Sequence, residues 1–283
     1  MTGCCHASPY RIDRVLSTEN PTFRALATPA VAGGTIAGMT DPALPVETAP
    51  ADALSSGRDA LARHAWQDAF DLLSRADSEG TLAGADLESL AEAAFFSGHA
   101  ARQFDINERA FKAHLVAGDE IRAAYLALEL AHDYGYAGKL SIASAWGRRG
   151  ERLLDGKPET YANGYLALRM SQRAVFTGEI EAALALAEQA VEIAGRMSHA
   201  DLQAAALTNL GTLKIATGAA SEGMAMMEEA SIAAVNGELS PFATGATCCQ
   251  MISACRPCRR LRQGRSTLPP SWPCLPTPRR SRS

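Results

Sequence analysis

Two short stretches of the sequence have residue types that could support metal or phosphate chemistry. Cys255-Arg-Pro-Cys258 has the spacing of half a zinc site, but no second Cys or His pair follows at a suitable distance. The stretch 135–141, GYAGKLS, contains the Gly, Lys and Ser of a phosphate-binding loop. That loop requires four residues between its glycines and Ser or Thr directly after Lys. We therefore predict neither a metal site nor a nucleotide site, and interpret 135–141 as a turn between helices.

The remaining ionisable residues do not suggest a catalytic cluster. The six histidines are scattered, and no two of them are spaced i, i+4 as a metal pair on one helix would be. Acidic residues are spread over the predicted exteriors of helices, where solvent exposure is their usual explanation. We predict no catalytic residue and no cofactor, and hence that the chain is not an enzyme. A cyclase or an ATPase is the weakest alternative, because the chain has no phosphate loop.

The helical segments that would position any functional residue repeat every 40 residues. Four glycines mark this period, each between two segments with helical apolar periodicity: Gly98, Gly138, Gly178 and Gly218. Small residues also recur five positions after these glycines, at Ala143, Ala183 and Gly223. No stretch shows sustained period-two alternation of β-branched residues. The chain is therefore predicted to be all-α, with eleven amphipathic helices between Ala51 and Ala254.

A shorter unit precedes these and has His64 in the place of the glycine, 34 residues before Gly98. A 34-residue helix-turn-helix unit with small residues at these places resembles the tetratricopeptide repeat, and the later units resemble its longer relatives. The resemblance implies a right-handed superhelical array of antiparallel helix hairpins, an α-solenoid, over residues 51–254.

The two ends of the chain differ in composition from the array. Residues 1–50 are rich in Pro, Thr, Gly and Ala without periodicity, and the last 28 residues hold eight Arg, six Pro and no acidic residue. We predict a disordered leader over 1–50 and a disordered Arg/Pro-rich tail over 255–283, since neither can bury enough apolar surface to offset ordering. At the N-terminal end, the residues from Met39 onward read as a short leader into the first helix, so we predict that translation starts at Met39. At the C-terminal end, the amphipathic pattern stops after Cys255, so we expect that the tail results from a frameshift that truncates the array.

The distribution of charge and of cysteine indicates which partners the chain can bind and in which cellular compartment it occurs. The formal net charge is −4, of which the last 28 residues contribute +8 and the other 255 therefore −12. An acidic array repels phosphate backbones, so we predict no specific nucleic-acid contact by the repeats, whereas the Arg-rich tail could attract phosphates nonspecifically. All seven Cys lie outside residues 6–247, and no apolar run reaches about 18 residues. We predict a cytoplasmic protein that does not contact a membrane.

In tetratricopeptide arrays, the first helix of each hairpin faces a concave groove. By offset, this resemblance places Glu92, His132, Gln172 and Thr212 in the groove, with Tyr125, Tyr165, Tyr136 and Phe176 beside them. A polar and aromatic lining suits a peptide or helix of a partner protein, or another segment of the same protein. The alternative is that these aromatic residues pack within the array.

Three stretches are similar to the repeat region of actinobacterial regulators of the LuxR type, in which a helical array accompanies a DNA-binding helix-turn-helix. They are GRDALARHAWQDAFDLLSRAD at 57–77, ASAWGRRGERLLDG at 143–156 and GELSPFATGATCCQMISAC at 237–255. No stretch matches the DNA-reading helices. The resemblance implies the protein-interaction or regulatory region of such a transcriptional regulator, without its DNA-binding domain. The alternative is a stand-alone tetratricopeptide scaffold with no transcriptional role.

Overall fold

The computed structural model describes residues 50–80 and 82–262, with side chains described to residue 254. In this part of the chain there are eleven α-helices and no strand, which confirms the predicted all-α class. The helices are α1 Pro50–Ala62, α2 Trp66–Glu79, α3 Gly84–Phe96, α4 Ala100–Val116, α5 Glu120–Tyr136, α6 Leu140–Leu154, α7 Tyr161–Thr177, α8 Ile180–Met197, α9 Ala200–Ala216, α10 Ala220–Val235 and α11 Pro241–Arg262. The predicted leader, the start at Met39 and most of the predicted tail lie outside the described residues.

Neighbouring helices pack as hairpins, and the hairpins stack on one another. The most extensive contacts join α1 to α2, α3 to α4, α5 to α6, α7 to α8 and α9 to α10. The first helix of a hairpin also packs against the first helix of the next one, as in the pairs α5 with α7, α7 with α9 and α9 with α11. A stack of hairpins in which each contacts mainly its neighbours is an α-solenoid.

The left-handed turns explain the 40-residue period. Gly98, Gly138, Gly178 and Gly218 each follow the first helix of a hairpin with φ between 75° and 103°. His64 occupies the same place after α1 with φ of 58°, which confirms the shorter first unit. This conformation costs a non-glycine residue about 1–2 kcal/mol. The His64 ring stacks on Trp66, with ring centroids 4.9 Å apart.

Small residues lie where the two helices of a hairpin cross, as the sequence predicts. Gly211 in α9 faces Gly223 in α10, and a Cβ added at Gly211 would lie 2.6 Å from the Gly223 carbonyl oxygen. Larger residues fill the space between successive hairpins. Trp146 in α6 is buried and packs edge-on against Phe111 in α4, with ring centroids 4.9 Å apart.

The ends of α8 and α11 depart from simple sequence rules. Glycine commonly follows the end of a helix, but Gly195 lies inside α8, which continues to Met197, and Ser198 adopts the left-handed conformation, with φ of 49°. The last helix was expected to end at residue 254, where the amphipathic pattern stops, but α11 continues to Arg262. An amphipathic pattern identifies a helix only where one of its faces is buried. Arg and Leu have high intrinsic helix propensity, so a helix can continue beyond the point where the pattern stops.

The last helix also meets the second hairpin. Phe242 at the start of α11 contacts Phe95 near the end of α3, with ring centroids 5.3 Å apart. The backbone N–H of Ser240 donates to the Asp201 carboxylate at 2.9 Å, which links the start of α11 to the start of α9.

None of the described helices is long and apolar enough to cross a membrane.

Candidate partner-binding groove

The first helices of neighbouring hairpins face each other through residues that are equivalent in the repeat. Tyr125 in α5 contacts Tyr165 in α7 edge-on, with ring centroids 4.8 Å apart. One turn further on, the Arg169 guanidinium donates from Nη2 to both carboxylate oxygens of Glu129, at 2.6 and 2.8 Å. Each pair is separated by 40 residues, because helices that repeat with this period present the same positions to one another.

A third equivalent pair continues this series toward the turns that end α5 and α7. The Gln172 side chain interacts with His132 and accepts a hydrogen bond from Arg169 Nη1 at 2.9 Å. Burial and the charge of Arg169 lower the pKa of His132 well below its usual value, and Gln172 opposes them. His132 is therefore neutral at pH 7. We call these three pairs the groove ladder.

Burial and pairing have opposite effects on the guanidinium of Arg169. Burial lowers the pKa of Arg169, but the charge and the hydrogen bonds of Glu129 outweigh burial and hold the pKa above its usual value. The Arg169 Nε atom is buried without a hydrogen-bond partner in the described part of the chain. Within the described part of the chain, the two Nη atoms of this guanidinium donate to Glu129 and Gln172.

Toward the starts of α5 and α7, the side chains are packed against one another, and we call this region the closed half of the groove. Arg122 donates to the Glu88 carboxylate of α3 at 2.5–3.0 Å, and its guanidinium lies 4.7 Å from the centre of the Tyr125 ring. Tyr161 stacks on His199, with ring centroids 4.9 Å apart. Burial raises the pKa of Tyr125 and of Tyr165, so both phenols stay neutral.

Toward the ends of the same helices the groove is accessible, and we call this region the open half, formed by His132, Asp133, Tyr136, Gln172 and Phe176. Phe176 is 76% exposed and Tyr136 is 46% exposed, and the Tyr136 and His132 rings meet edge-on with their centroids 4.5 Å apart. Asp133 is half-buried. Burial and, to a smaller extent, the charge of Glu129 raise the pKa of Asp133 to about 7, against the opposing charge of Arg169.

The structure therefore places the eight predicted groove residues in different surroundings. Tyr125, Tyr165, His132, Tyr136 and Gln172 lie in the ladder or beside it. Glu92 is half-buried on α3, and burial raises the pKa of its carboxyl, with smaller effects from His64 and Asp201. The Thr212 hydroxyl donates to the Thr208 carbonyl of its own helix at 2.8 Å. Thr212 lies on α9 and Phe176 near the end of α7, outside the three ladder pairs.

Several charged residues of the groove were missed at the level of sequence. They are Glu88, Arg122, Glu129, Asp133 and Arg169. One signal was present: Glu129 and Arg169 have opposite charge at equivalent positions 40 residues apart. Applying the repeat offset to charges, and not only to small and apolar residues, identifies this pair. It does not identify Glu88 with Arg122, which are 34 residues apart on helices related by the 40-residue period.

Two cavities are present in the described part of the chain, and neither lies at the open half of the groove. One cavity of about 390 Å³ lies between α1 and α2, and another of about 190 Å³ lies at the turn between α8 and α9. Over the described residues, no group of three or more His, Cys, Asp or Glu could hold a metal ion. Cys248 and Cys249 are exposed and free. The side chains of Cys255, Cys258 and Cys274 lie outside the described part.

Comparison with known proteins identifies no family for the chain. No protein-family model matches the chain, and no curated protein does either. Two crystal structures of nearly identical TPR-like repeats from a putative kinesin light chain of Podosopora anserina, one of them of a variant, are similar in fold. The variant is 16% identical in sequence to this chain with a TM-score of 0.44, and the alignment covers 67% of this chain and 96% of the variant. The other structure is 17% identical with a TM-score of 0.42, and its alignment covers 67% of this chain and 97% of that structure.

The class of fold therefore rests on the helices themselves. Hairpins with a glycine turn, stacked so that first helices line one face, define a tetratricopeptide-like α-solenoid. This fold suggests a protein-interaction scaffold, since its extended concave surface is the part that such arrays use for binding.

Proposed function

We propose that the array is a protein-interaction module that holds a peptide or helical segment on the open half of its groove. The observation that carries this proposal is the exposure of two aromatic side chains, Phe176 and Tyr136, beside polar groups on the first helices. Exposed aromatic residues are enriched at protein interfaces and often dominate binding energy. The closed half is a poorer candidate, because its tyrosines already contact one another.

We further propose that the module is the regulatory repeat region of a LuxR-type transcriptional regulator in the cytoplasm. The similarity of residues 57–77, 143–156 and 237–255 to such regulators supports this role. The binding partner is then a segment of a regulatory protein, or another part of the intact regulator. A stand-alone scaffold with no transcriptional role is the second candidate, because the groove geometry supports protein binding equally in both cases.

Photo-crosslinking in cells that express the chain tests the proposal. The photoreactive amino acid p-benzoylphenylalanine replaces Phe176 in one experiment and Ile232, which is 62% exposed on a second helix, in a control experiment. We expect a partner to be captured at position 176 and not at position 232. A captured partner that carries a DNA-binding helix-turn-helix favours the regulator, and one without it favours the stand-alone scaffold.

Affinity measurements with the captured partner complete the test. The variants Phe176→Ala and Tyr136→Ala are expected to weaken binding about 10-fold or more each, as truncation of an interface aromatic commonly does. Ile232→Ala is the matched control and should bind like the unmodified chain. Helix content measured by circular dichroism should be equal in all four chains. Equal affinity of all of them would contradict binding at the open half.

A further inference from the structure

We infer that a second copy of the chain docks on the second helices of the third, fourth and fifth hairpins, α6, α8 and α10. In this dimer, α6 of one copy packs antiparallel to α10 of the other. The groove is formed by first helices, so this inference concerns a different surface and goes beyond the proposed function.

The charges on α6 and α10 are opposite at equivalent positions of the repeat. Arg148 and Arg149 are exposed on α6, and the residues two 40-residue periods further on, Glu228 and Glu229, are exposed on α10. A whole hairpin separates these two helices in the array. Packed helices lie about 8–10 Å apart, so the axes of α6 and α10 are roughly 20 Å from each other. Their charges are therefore too far apart to pair within one copy.

Arg149 is held in place by rings of the array while its side chain stays exposed. Its guanidinium lies over the Phe111 and Trp146 rings, 5.1 Å from the centre of each. A guanidinium over a ring uses its face for that contact, whereas its N–H donors lie in its plane and can still bind a carboxylate. Because Arg149 is already ordered, it loses less side-chain entropy when a second copy binds.

An antiparallel register pairs the apolar residues of the two helices together with their charges. When the two arginines lie opposite the two glutamates in this register, Ile142 faces Val235 and Ala145 faces Ile232. Ile142 is 43% exposed, Ile232 62% and Val235 84%. A parallel register with the same charges paired would place Ile142 opposite Glu222. The antiparallel register therefore matches both kinds of surface, and the parallel register matches only one.

A twofold rotation produces this contact twice and brings α8 against its own counterpart. The rotation that places α6 on α10 of the second copy also places α10 on α6, and α8 lies between them. In the same register along α8, Gln189 faces Glu188, and the Glu188 carboxylate already lies 3.5 Å from Lys214 Nζ. Ala182 faces Gly195, and both are exposed. Glycine is unfavourable inside a helix, and a close approach of the second copy gives Gly195 a reason to be there.

Sedimentation velocity of the full chain tests the inference. We expect a dimer that weakens at least about 10-fold between about 0.05 M and about 0.5 M salt, because exposed ion pairs are screened. Arg148→Glu/Arg149→Glu should weaken the dimer at least about 10-fold, since it sets like charges opposite each other at two contacts. Glu228→Arg/Glu229→Arg should do the same. An equimolar mixture of these two variants should dimerise like the unmodified chain, which also shows that both are folded.

A matched control separates this surface from the general acidity of the array. Asp68→Arg/Asp71→Arg changes the net charge as much as Glu228→Arg/Glu229→Arg does, at exposed positions of α2, and should leave the dimer unchanged. An equal loss in the control, a mixture that stays monomeric, or an unmodified chain that is monomeric at every concentration would overturn the inference. A loss confined to the Glu228→Arg/Glu229→Arg variant would also overturn it, because the Arg-rich residues 256–283 would then be the occupant.

Photo-crosslinking of the purified chain tests the register. With p-benzoylphenylalanine at position 232, we expect a product of twice the mass of the chain, joined to the tryptic fragment 140–148 that contains Ala145. A crosslink to Arg152 would indicate a parallel register and overturn the arrangement. Capture of a second copy at position 232 is separate from capture of the partner protein, which is expected at position 176. Either proposal can therefore fail while the other stands.

Discussion

The close approach of α9 and α10 at Gly211 and Gly223 gives a specific prediction for Gly211→Ala. Gly211 in α9 and Gly223 in α10 face each other where the fifth hairpin crosses. A Cβ at position 211 would lie 2.6 Å from the Gly223 carbonyl oxygen and 2.8 Å from Cγ of Met227. Methionine can change rotamer, but a carbonyl oxygen within a helix cannot move alone. The two helices must therefore separate.

Two opposing effects determine the size of the change in the free energy of unfolding. Alanine favours a helix over glycine by about 1 kcal/mol. Overpacking of this kind costs about 1–3 kcal/mol, and an obstacle formed by backbone belongs at the upper end of that range. We expect Gly211→Ala to destabilise the array by about 2 kcal/mol. For a chain of this size, that lowers the melting temperature by roughly 4–8 °C.

A matched variant provides the control. Gly147 lies in the middle of α6, and a Cβ there would meet nothing nearer than Cβ of Ala131 at 3.9 Å, an ordinary contact. Gly147→Ala should therefore gain the helix preference of about 1 kcal/mol without a clash. Thermal unfolding followed by circular dichroism compares the variants with the parent chain. If Gly211→Ala and Gly147→Ala both raise the melting temperature, the close crossing of α9 and α10 is refuted.

Three further outcomes follow from the turns and the groove. Gly178→Ala should lower stability by about 1–2 kcal/mol in thermal unfolding, because φ is 80° there although a Cβ would contact nothing within 4 Å. Glu129→Gln and Arg169→Met should each destabilise by roughly 2 kcal/mol, and a double-mutant cycle in urea should show coupling of about 1–3 kcal/mol. The pKa of Asp133 is about 7 in the folded chain against an ordinary 3.8, so the folded chain retains the proton. Stability from this group should fall as pH rises from about 4 to about 7, and Asp133→Asn should lack that fall in urea unfolding at pH 5 and pH 8.

The fold could be predicted from the sequence because its period is carried by backbone requirements. A left-handed turn after each first helix selects glycine, and close helix crossings select small residues, so both recur visibly every 40 residues. His64 was recognisable only through its place in that period, and it does adopt the left-handed conformation. Helix ends were less predictable. Ser198, and not the nearby Gly195, adopts the left-handed conformation after α8, since an exposed glycine can remain helical.

The groove was less predictable than the fold, because a residue's place on a first helix does not determine its exposure. Tyr165 and Phe176 lie on the same helix and were assigned to the same groove, yet Tyr165 is 7% exposed and Phe176 is 76% exposed. The difference arises from tertiary partners: Tyr165 contacts Tyr125, Tyr161 and His199, which come from three different helix starts. Such a cluster depends on the angle between hairpins, which the 40-residue period does not specify.

The division of the groove follows from how repeats of equal length contact each other. When two helices present equivalent positions, the same residues that could bind a partner can bind their own counterparts, as Tyr125 with Tyr165 and Glu129 with Arg169 do. These contacts hold neighbouring hairpins together and remove their side chains from binding. In the described array, the exposed ring of Phe176 lies beyond these pairs, near the end of α7. The polar residues of such a groove must therefore be examined as pairs before any of them is assigned to a partner.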